Sequence, residues 1–423
     1  MKIDTIVSRY VPLSRQRRLL LLFSLAWMAD AAGVMLITFT LPGIMKEWNL
    51  SLMEAGTIAS STFIGMLLGA FSSGFIADMV GRKMAMNFYL FFTVFFTVID
   101  GFAPTPVMFM VFRFLAGVGY GGLMPSVNAY LSESVSINIR GRYLVLLEAS
   151  WAVGSILMAT YAVTLGARFG WRSDYIVMGL WGLLFIPFLM VSESPKYVFL
   201  KSGKEGLEKV LNVRISEDID PVVKTRVPIG ALFTREHYRK TIMVWISWFV
   251  VSLVYYGLFI WLPKIFASSG MSEAKSLWFT FFMMLAQLPG YLSAAYCIEK
   301  IGRRISLAVY FFGTGVSALL FSLVSGTVSL IVVALSASFF CLGVWGLVYA
   351  YTPELFPTSF RGTANGSAGV MARIAGIIAP YFTALFMRAG KVYYALLSFA
   401  ILCVVAGVIV FILGEETKGV ETG

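Results

Sequence analysis

Gly74-Phe75-Ile76-Ala77-Asp78-Met79-Val80-Gly81-Arg82-Lys83 closes one apolar run and opens the next, and its core returns as Glu299-Lys300-Ile301-Gly302-Arg303-Arg304. The copies stand 221 residues apart, Asp78 to Glu299 and Gly81 to Gly302. The same offset carries Trp27 to Trp248, Leu41-Pro42 to Leu262-Pro263, and Gly69 to Gly290. It also carries Glu133 with Arg140-Gly141 to Glu354 with Arg361-Gly362. A constant spacing over so much chain marks two copies of one unit. Gly81 and Gly302 supply the tight turn, with an acid before it and two bases after it.

What surrounds these turns is apolar. The chain has 423 residues, 59% hydrophobic and 13% charged, where a soluble domain carries about 25% charged residues. A helix needs about 20 apolar residues to cross hydrocarbon about 30 Å thick. Twelve runs meet that length: 19–44, 53–77, 84–103, 106–132, 143–166, 173–192, 241–266, 275–297, 304–324, 328–352, 363–387 and 391–413. They are too long and too uniformly apolar for the alternating strands of a β-barrel. The reading is an all-α membrane protein of twelve transmembrane helices in two parallel six-helix repeats. Its parts are an N-terminal bundle 1–192, a polar linker 193–240 containing Pro195, Gly203, Gly206, Pro221 and Pro228, and a C-terminal bundle 241–423. Within the linker, Ser202 to Leu211 suits a short amphipathic surface helix. Parallel repeats with a site between them suit a transporter that rocks around a central cavity.

The net charge of +11 suggests nucleic acid until its distribution is read. Most Lys and Arg fall in segments on the side of the N-terminus, which is the positive-inside pattern. Both termini are therefore expected in the cytoplasm and the chain in the plasma (inner) membrane. Arg9, Arg15, Arg17 and Arg18 read as a topology signal, and also suit anionic lipid headgroups. The apolar run after them is too long for a cleaved signal peptide. Cys297, Cys341 and Cys403 show no metal spacing, and His237 is the single histidine. No nucleophile constellation, metal set, cofactor site or ATP motif is present, so an enzyme is disfavoured and an ion gradient is the expected driving force. Gly117-x-Gly119-x-x-Gly122 mimics a dinucleotide fingerprint. It lies inside an apolar run with no preceding strand, where small residues let helices approach closely.

Charges inside spans are costly unless satisfied, on the order of 2.5–3.5 kcal/mol by insertion scales. Asp30 lies roughly 17 Å from the inner edge of helix 1, and Arg113 roughly 10 Å from the outer edge of helix 4. The two levels nearly coincide, which suggests an Asp30–Arg113 pair. Either it opens when Asp30 is protonated, a proton-coupling switch, or it is a permanent ion pair. Glu148 in helix 5 either pairs with Arg140 or Arg142 or lines the cavity, and is a second proton-site candidate. Arg373 sits near the midplane of helix 11. It points to an anionic substrate, unless it pairs across the halves with Asp30 or Glu148. Trp27, Trp151, Trp248, Tyr255, Tyr256, Trp345 and Tyr349 are candidates for an aromatic pocket, with Gln287 and Asn128 as polar candidates. Trp261 near a span end reads as an interfacial anchor.

The Gly74–Lys83 pattern resembles the signature loop of the major facilitator superfamily. Arg113-x-x-x-Gly117-x-Gly119-x-Gly121-x-x-x-Pro125 is similar to that superfamily's helix 4. Ser192-Glu193-Ser194-Pro195-Lys196, Pro353-Glu354-x-x-Pro357-x-x-x-Arg361-Gly362 and Glu416-Thr417-Lys418-Gly419 resemble its sugar-porter and organic-ion branch. Helix 7 lacks the paired glutamines of a sugar porter and offers Ser247, Ser252, Tyr255 and Tyr256 instead. The loop after helix 1 is short, unlike that of animal organic-ion carriers, and the chain more closely resembles prokaryotic nicotinate- or aromatic-acid-type permeases, related to the synaptic vesicle glycoprotein 2 group. The resemblance implies proton-coupled symport of a small organic anion, with Asp30 and Arg113 in coupling and Arg373 on the substrate. It also implies a conformational latch of Gly74, Asp78, Gly81, Arg82, Lys83, Glu133, Arg140, Arg142, Glu299, Arg303, Arg304, Glu354 and Arg361. A monomer in the lipid bilayer is expected, with a small molecule and protons as its partners. The alternatives are an organic-cation or sugar transporter of the same fold, and a non-transporting receptor or scaffold.

Overall fold

A computed structural model describes residues 3–220, 227–268, 270–324, 326–357 and 359–418. Pro221 of the linker and Gly419 of the closing motif lie outside them. The described chain is helical, and twelve helices are long and apolar enough to cross a membrane. By internal packing it divides into two compact units. One is Met1–Leu36, Ile64–Met158 and Arg172–Lys224; the other is Ile37–Phe63, Ala159–Trp171 and Thr225–Gly423.

The first unit begins with the short amphipathic α1 (Ile3–Tyr10) and the long α2 (Leu13–Trp48), cut by the division after Leu36. It continues with α3 (Leu52–Val80) from Ile64, α4 (Arg82–Asp100), α5 (Pro106–Ser134) and α6 (Ile137–Tyr161) to Met158. The sixth span is α8 (Trp171–Ile176), a 3-10 stretch Val177–Leu184, and α9 (Phe185–Met190). Local chemistry sets several boundaries. Thr105 accepts from the Met108 N–H at 3.3 Å with Pro106 following, so cap and proline start α5 together. Ser194 and Pro195 start α10 (Pro195–Leu211) in the same way. The expected linker helix is thus longer than read, with a break at Gly203, whose φ is 64°. Leu207 and Leu211 of α10 bury with Ile3, Ile6, Val7, Val11 and Ile215 in a small core of their own. Asp4 of α1 pairs with Arg140 at 2.5 Å.

The second unit holds the remainder of α2, α3 up to Phe63, a π turn Ala162–Gly166 and α7 (Ala167–Phe169). Then come α11 (Tyr238–Phe259), α12 (Leu262–Ser268), α13 (Glu273–Lys300), α14 (Arg303–Leu323), α15 (Thr327–Glu354), α16 (Arg361–Arg388) and α17 (Val392–Leu413). The first span of the repeat is broken at Ile260–Trp261, whereas α2 runs through Pro42 unbroken. At that break Trp261 is fully buried and donates its indole N–H to the Pro380 carbonyl at 3.1 Å. This corrects the reading of Trp261 as an interfacial anchor: the interrupted helix turns the ring into protein.

The repeat survives as identical contacts. Ser72 and Tyr89 hydroxyls meet at 2.8 Å, and Ser293 and Tyr310 at 2.7 Å. A side chain on Gly69 would run into the Val118 carbonyl, and one on Gly290 into the Phe339 carbonyl. Gly122 lies on the Tyr89 ring as Gly343 lies on Tyr310. All of these pairs are related by the offset of 221 seen in the sequence. They show that glycine at these helix crossings lets backbones touch. Gly74, by contrast, faces open space. Gly69→Leu should therefore lower the unfolding midpoint in detergent sharply or abolish recovery of folded protein, while Gly74→Ala in the same helix leaves it unchanged. Equal midpoints for the two variants would refute this account of the crossing.

Candidate functional site

At the α3–α4 turn, Gly81 takes φ 99° and Gly302, at the α13–α14 turn, takes φ 96°. Glycine is needed twice over. The conformation is left-handed, and a side chain would meet the Glu193 carboxylate at one turn and that of Glu416 at the other. Those carboxylates cap the following helices. Glu193 accepts from the Arg82 and Lys83 backbone N–H groups at 3.0 and 3.1 Å; Glu416 accepts from those of Arg303 and Arg304 at 2.8 and 3.3 Å. Anions suit helix N-termini because free N–H groups and the helix dipole both point at them.

Each turn presents its arginine to an acid of a neighbouring helix. Arg82 pairs with Glu133 at 3.1 Å and Asp78 at 2.9 Å; Arg303 pairs with Glu354 at 2.9 Å and Glu299 at 3.3 Å. A hydroxyl completes each network, Ser194 to Glu133 and Thr417 to Glu354 at 2.6 Å. Tyr130 donates to the Ser192 carbonyl, and Tyr351 to that of Glu415. Lys83 reaches the Leu189 carbonyl at 2.6 Å. The sequence singled out the arginines and helix-end acids, but the clasping Glu193 and Glu416 were visible only as motif letters. Arg140 lies apart from this network, bound to Asp4. Arg142 is exposed, and Arg361 donates to the Phe356 carbonyl at 3.2 Å.

A second cluster lies inside the first unit. Asp30 and Arg113 are both fully buried. Thr93 donates to Asp30 at 3.2 Å, and Arg113 donates to the Gly33 carbonyl, one turn beyond Asp30, at 3.1 Å. Asp100 lies 3.9 Å from Arg113. The guanidinium carbon stands 5.8 Å from the Tyr120 ring centre and 5.9 Å from that of Tyr175. Thr97 and Tyr120 share a hydroxyl contact at 2.5 Å. Sequence reading missed Thr93, Thr97 and Asp100. Their spacing of four and three residues puts them on one helical face, a polar stripe in an otherwise apolar run. Glu148 is half-buried.

The pocket candidates fall into two groups. Trp27 is buried in the hydrophobic core of the first unit, and Trp151 packs against that core. In the second unit Trp248, Tyr255, Tyr256, Trp345 and Tyr349 gather on α11 and α15. Trp345 lies 5.8 Å from Trp248, 5.9 Å from Tyr349 and 6.5 Å from Tyr256. Trp248 lies 4.6 Å from Tyr349 and donates to the Thr352 hydroxyl at 2.9 Å. Phe63 adds a further ring, 4.4 Å from Tyr256. Arg373 on α16 is half-buried and within charge-interaction range of the Tyr256 hydroxyl. Ser252 ties α11 to the Ala372 carbonyl beside it at 2.6 Å. Gln287 is fully buried, and its side-chain oxygen has no hydrogen-bond partner among the described residues.

Twelve apolar helices in two homologous halves, with paired charged clasps at equivalent turns, define a membrane transporter of the major facilitator type. The chain belongs to the family described as sugar (and other) transporter, whose model matches residues 46–422. It is 34% identical over 414 residues to the niacin transporter NiaP of Acinetobacter baylyi, covering 95% of this chain and 94% of that one. A Bacillus subtilis protein bearing a niacin/nicotinamide transporter name is 36% identical over 411 residues, covering 96% and 98%. In fold, the chain is similar to the xylose transporter XylE from E. coli in a partially occluded inward-open conformation. The TM-score is 0.80 at 16% identity, covering 96% of this chain and 99% of that one. The chain is thus an integral membrane transporter and not an enzyme.

Glu133→Gln removes one charge from a largely buried clasp. It should destabilise the protein by about 2–3 kcal/mol, the scale of a hydrogen bond to a charged group, read as a lower midpoint in denaturant titration. Glu354→Gln should do the same in the second unit. Wild-type midpoints in both variants would mean that the clasps carry no stability.

Proposed function

We propose that this transporter moves a small aromatic monocarboxylate of nicotinate type together with protons, by alternating access. The observation that carries the reading is Arg373 beside the aromatic cluster of Trp345, Tyr349, Tyr255 and Tyr256. A guanidinium grips a carboxylate through paired N–H donors, and aromatic side chains stack on a planar ring. The niacin-transporting relative supports the same substrate class. Gln287, also in the second unit, completes the proposed pocket.

Asp30 is the proton-coupling acid in this reading. Protonation removes its charge from the cluster it shares with Thr93 and Arg113, and alters what holds Arg113 in place. Glu148 is a second proton site. The bundles 1–192 and 241–423, joined by the linker 193–240, rock as bodies, and the Arg82 and Arg303 clasps bias one conformation. The transporter acts as a monomer in the plasma (inner) membrane with both termini in the cytoplasm, and needs neither cofactor nor metal.

The test is uptake into proteoliposomes with and without an inward proton gradient. Nicotinate, benzoate, nicotinamide, an organic cation and a hexose are compared, with protein-free vesicles as the control for permeant acids. Gradient-stimulated accumulation of nicotinate is expected. Arg373→Ala should raise the half-saturating concentration at least about thirty-fold, the equivalent of losing about 2 kcal/mol from a charged contact. Asp30→Asn should abolish gradient-driven accumulation while exchange of labelled for unlabelled substrate persists. Uptake of only the cation or the hexose, or nicotinate uptake indifferent to Arg373→Ala, would defeat the anion reading. Ligand binding without flux would favour a receptor.

A further inference from the structure

A groove of about 360 Å³ lies at the N-terminal end of the first unit, between the start of α2 and the end of α9. Arg15 and Arg18 supply its charge; Leu19, Leu22, Met190 and Val191 supply its apolar wall. The wall belongs to spanning helices, and outward-facing Met190, Leu189 and Ile186 continue it along α9, with Met190 80% exposed. In a membrane protein such a face meets lipid chains.

Arg15 is fixed in place, donating to the Ser192 hydroxyl and to the Val210 carbonyl at 3.3 Å. Both acceptors are neutral. Among the described residues no carboxylate pairs with Arg15 or Arg18, whereas nearby Arg9 is paired with Glu217 at 2.5 Å. The repeat offers a comparison. The Ser192 carbonyl takes the Tyr130 hydroxyl as the Glu415 carbonyl takes that of Tyr351, so Ser192 and Glu415 hold equivalent places. At Glu415 the neighbouring base, Lys240, is neutralised internally at 2.7 Å. At Ser192 the acid is missing, and two positive charges border an apolar groove at a membrane edge.

We propose that this groove binds the headgroup of an anionic phospholipid from the leaflet on the N-terminal side, with Arg15 and Arg18 on the phosphate and an acyl chain along Leu22 and Met190. An unlinked phosphate shares the charge chemistry but not the apolar wall. A phosphatidylcholine shares the wall but cancels the charge with its own cation. Arg15 and the shape of the groove select the headgroup, while Arg18 adds attraction of about 1 kcal/mol, the usual worth of a base at an anionic surface.

The test uses the intact chain in detergent, titrated with dioleoyl phosphatidylglycerol, dioleoyl phosphatidylcholine and soluble glycerol 3-phosphate, with occupancy read by native mass spectrometry. Phosphatidylglycerol should bind in preference to phosphatidylcholine, and glycerol 3-phosphate should not displace it at matched concentration. Arg18→Gln, on an exposed side chain, should weaken phosphatidylglycerol about five-fold. Arg15→Gln with Arg18→Gln should erase the preference, and Arg17→Gln, outside the groove, should leave it intact. Equal binding of the two lipids by the wild type, or unchanged selectivity in the double variant, would overturn the proposal. Displacement by glycerol 3-phosphate would show a phosphate site rather than a lipid site.

Discussion

Hydrocarbon offers no hydrogen bonds, and this constraint orders the whole molecule. A backbone that crosses it must satisfy itself, so the chain crosses as helices. A charge that enters it must bring its partners, because leaving an ion unsatisfied there costs more than most single contacts return. Burial within protein imposes the same demand, as Arg82 shows at the turn between α3 and α4. Its guanidinium touches Asp78, Glu133 and the Ala77 carbonyl at once, and its backbone N–H is covered by Glu193. Every donor aimed inward has an acceptor, and the turn that delivers it can be made only by a glycine that leaves room for the Glu193 carboxylate.

Duplication kept this frame and let the interiors diverge. The clasps, the tyrosine–serine contacts and the glycine crossings recur at one offset. The charged residues between them do not. Asp30 and Arg113 of the first half correspond to Val251 and Ala334 of the second, while Arg373 corresponds to Ala152. Met124 and Asn128 correspond to Trp345 and Tyr349. One half therefore holds a buried acid–arginine cluster and the other an aromatic cluster beside an arginine. Trp27 and Trp248 mark the divergence in miniature. Trp248 donates to Thr352, but the matching residue in the first half is Leu131, and the Trp27 indole N–H has no hydrogen-bond partner among the described residues.

Much of the candidate site was legible in sequence because hydrocarbon makes each charge conspicuous. Asp30, Arg113, Arg373 and the two arginine turns stand out from long apolar runs. Asp100 and Thr93 did not. Asp100 ends its helix beside a turn, where an acid is unremarked, and a threonine in an apolar run usually bonds its own backbone. Trp261 misled for the opposite reason. A tryptophan near a span end ordinarily faces the membrane interface, but the break at Ile260–Trp261 turns the ring inward to the Pro380 carbonyl.

Composition, run length and the 221-residue offset determined the twelve helices, their grouping into repeats and the glycine turns, because these follow from local chemistry and from what hydrocarbon permits. Tertiary structure alone decided which acid clasps which arginine, that Asp100 joins Arg113, that Arg140 belongs to Asp4, and that five aromatic residues on two helices meet in one cluster. Those choices depend on how helices far apart in sequence rotate and pack against one another, and that rotation is set by side chains on both partners at once.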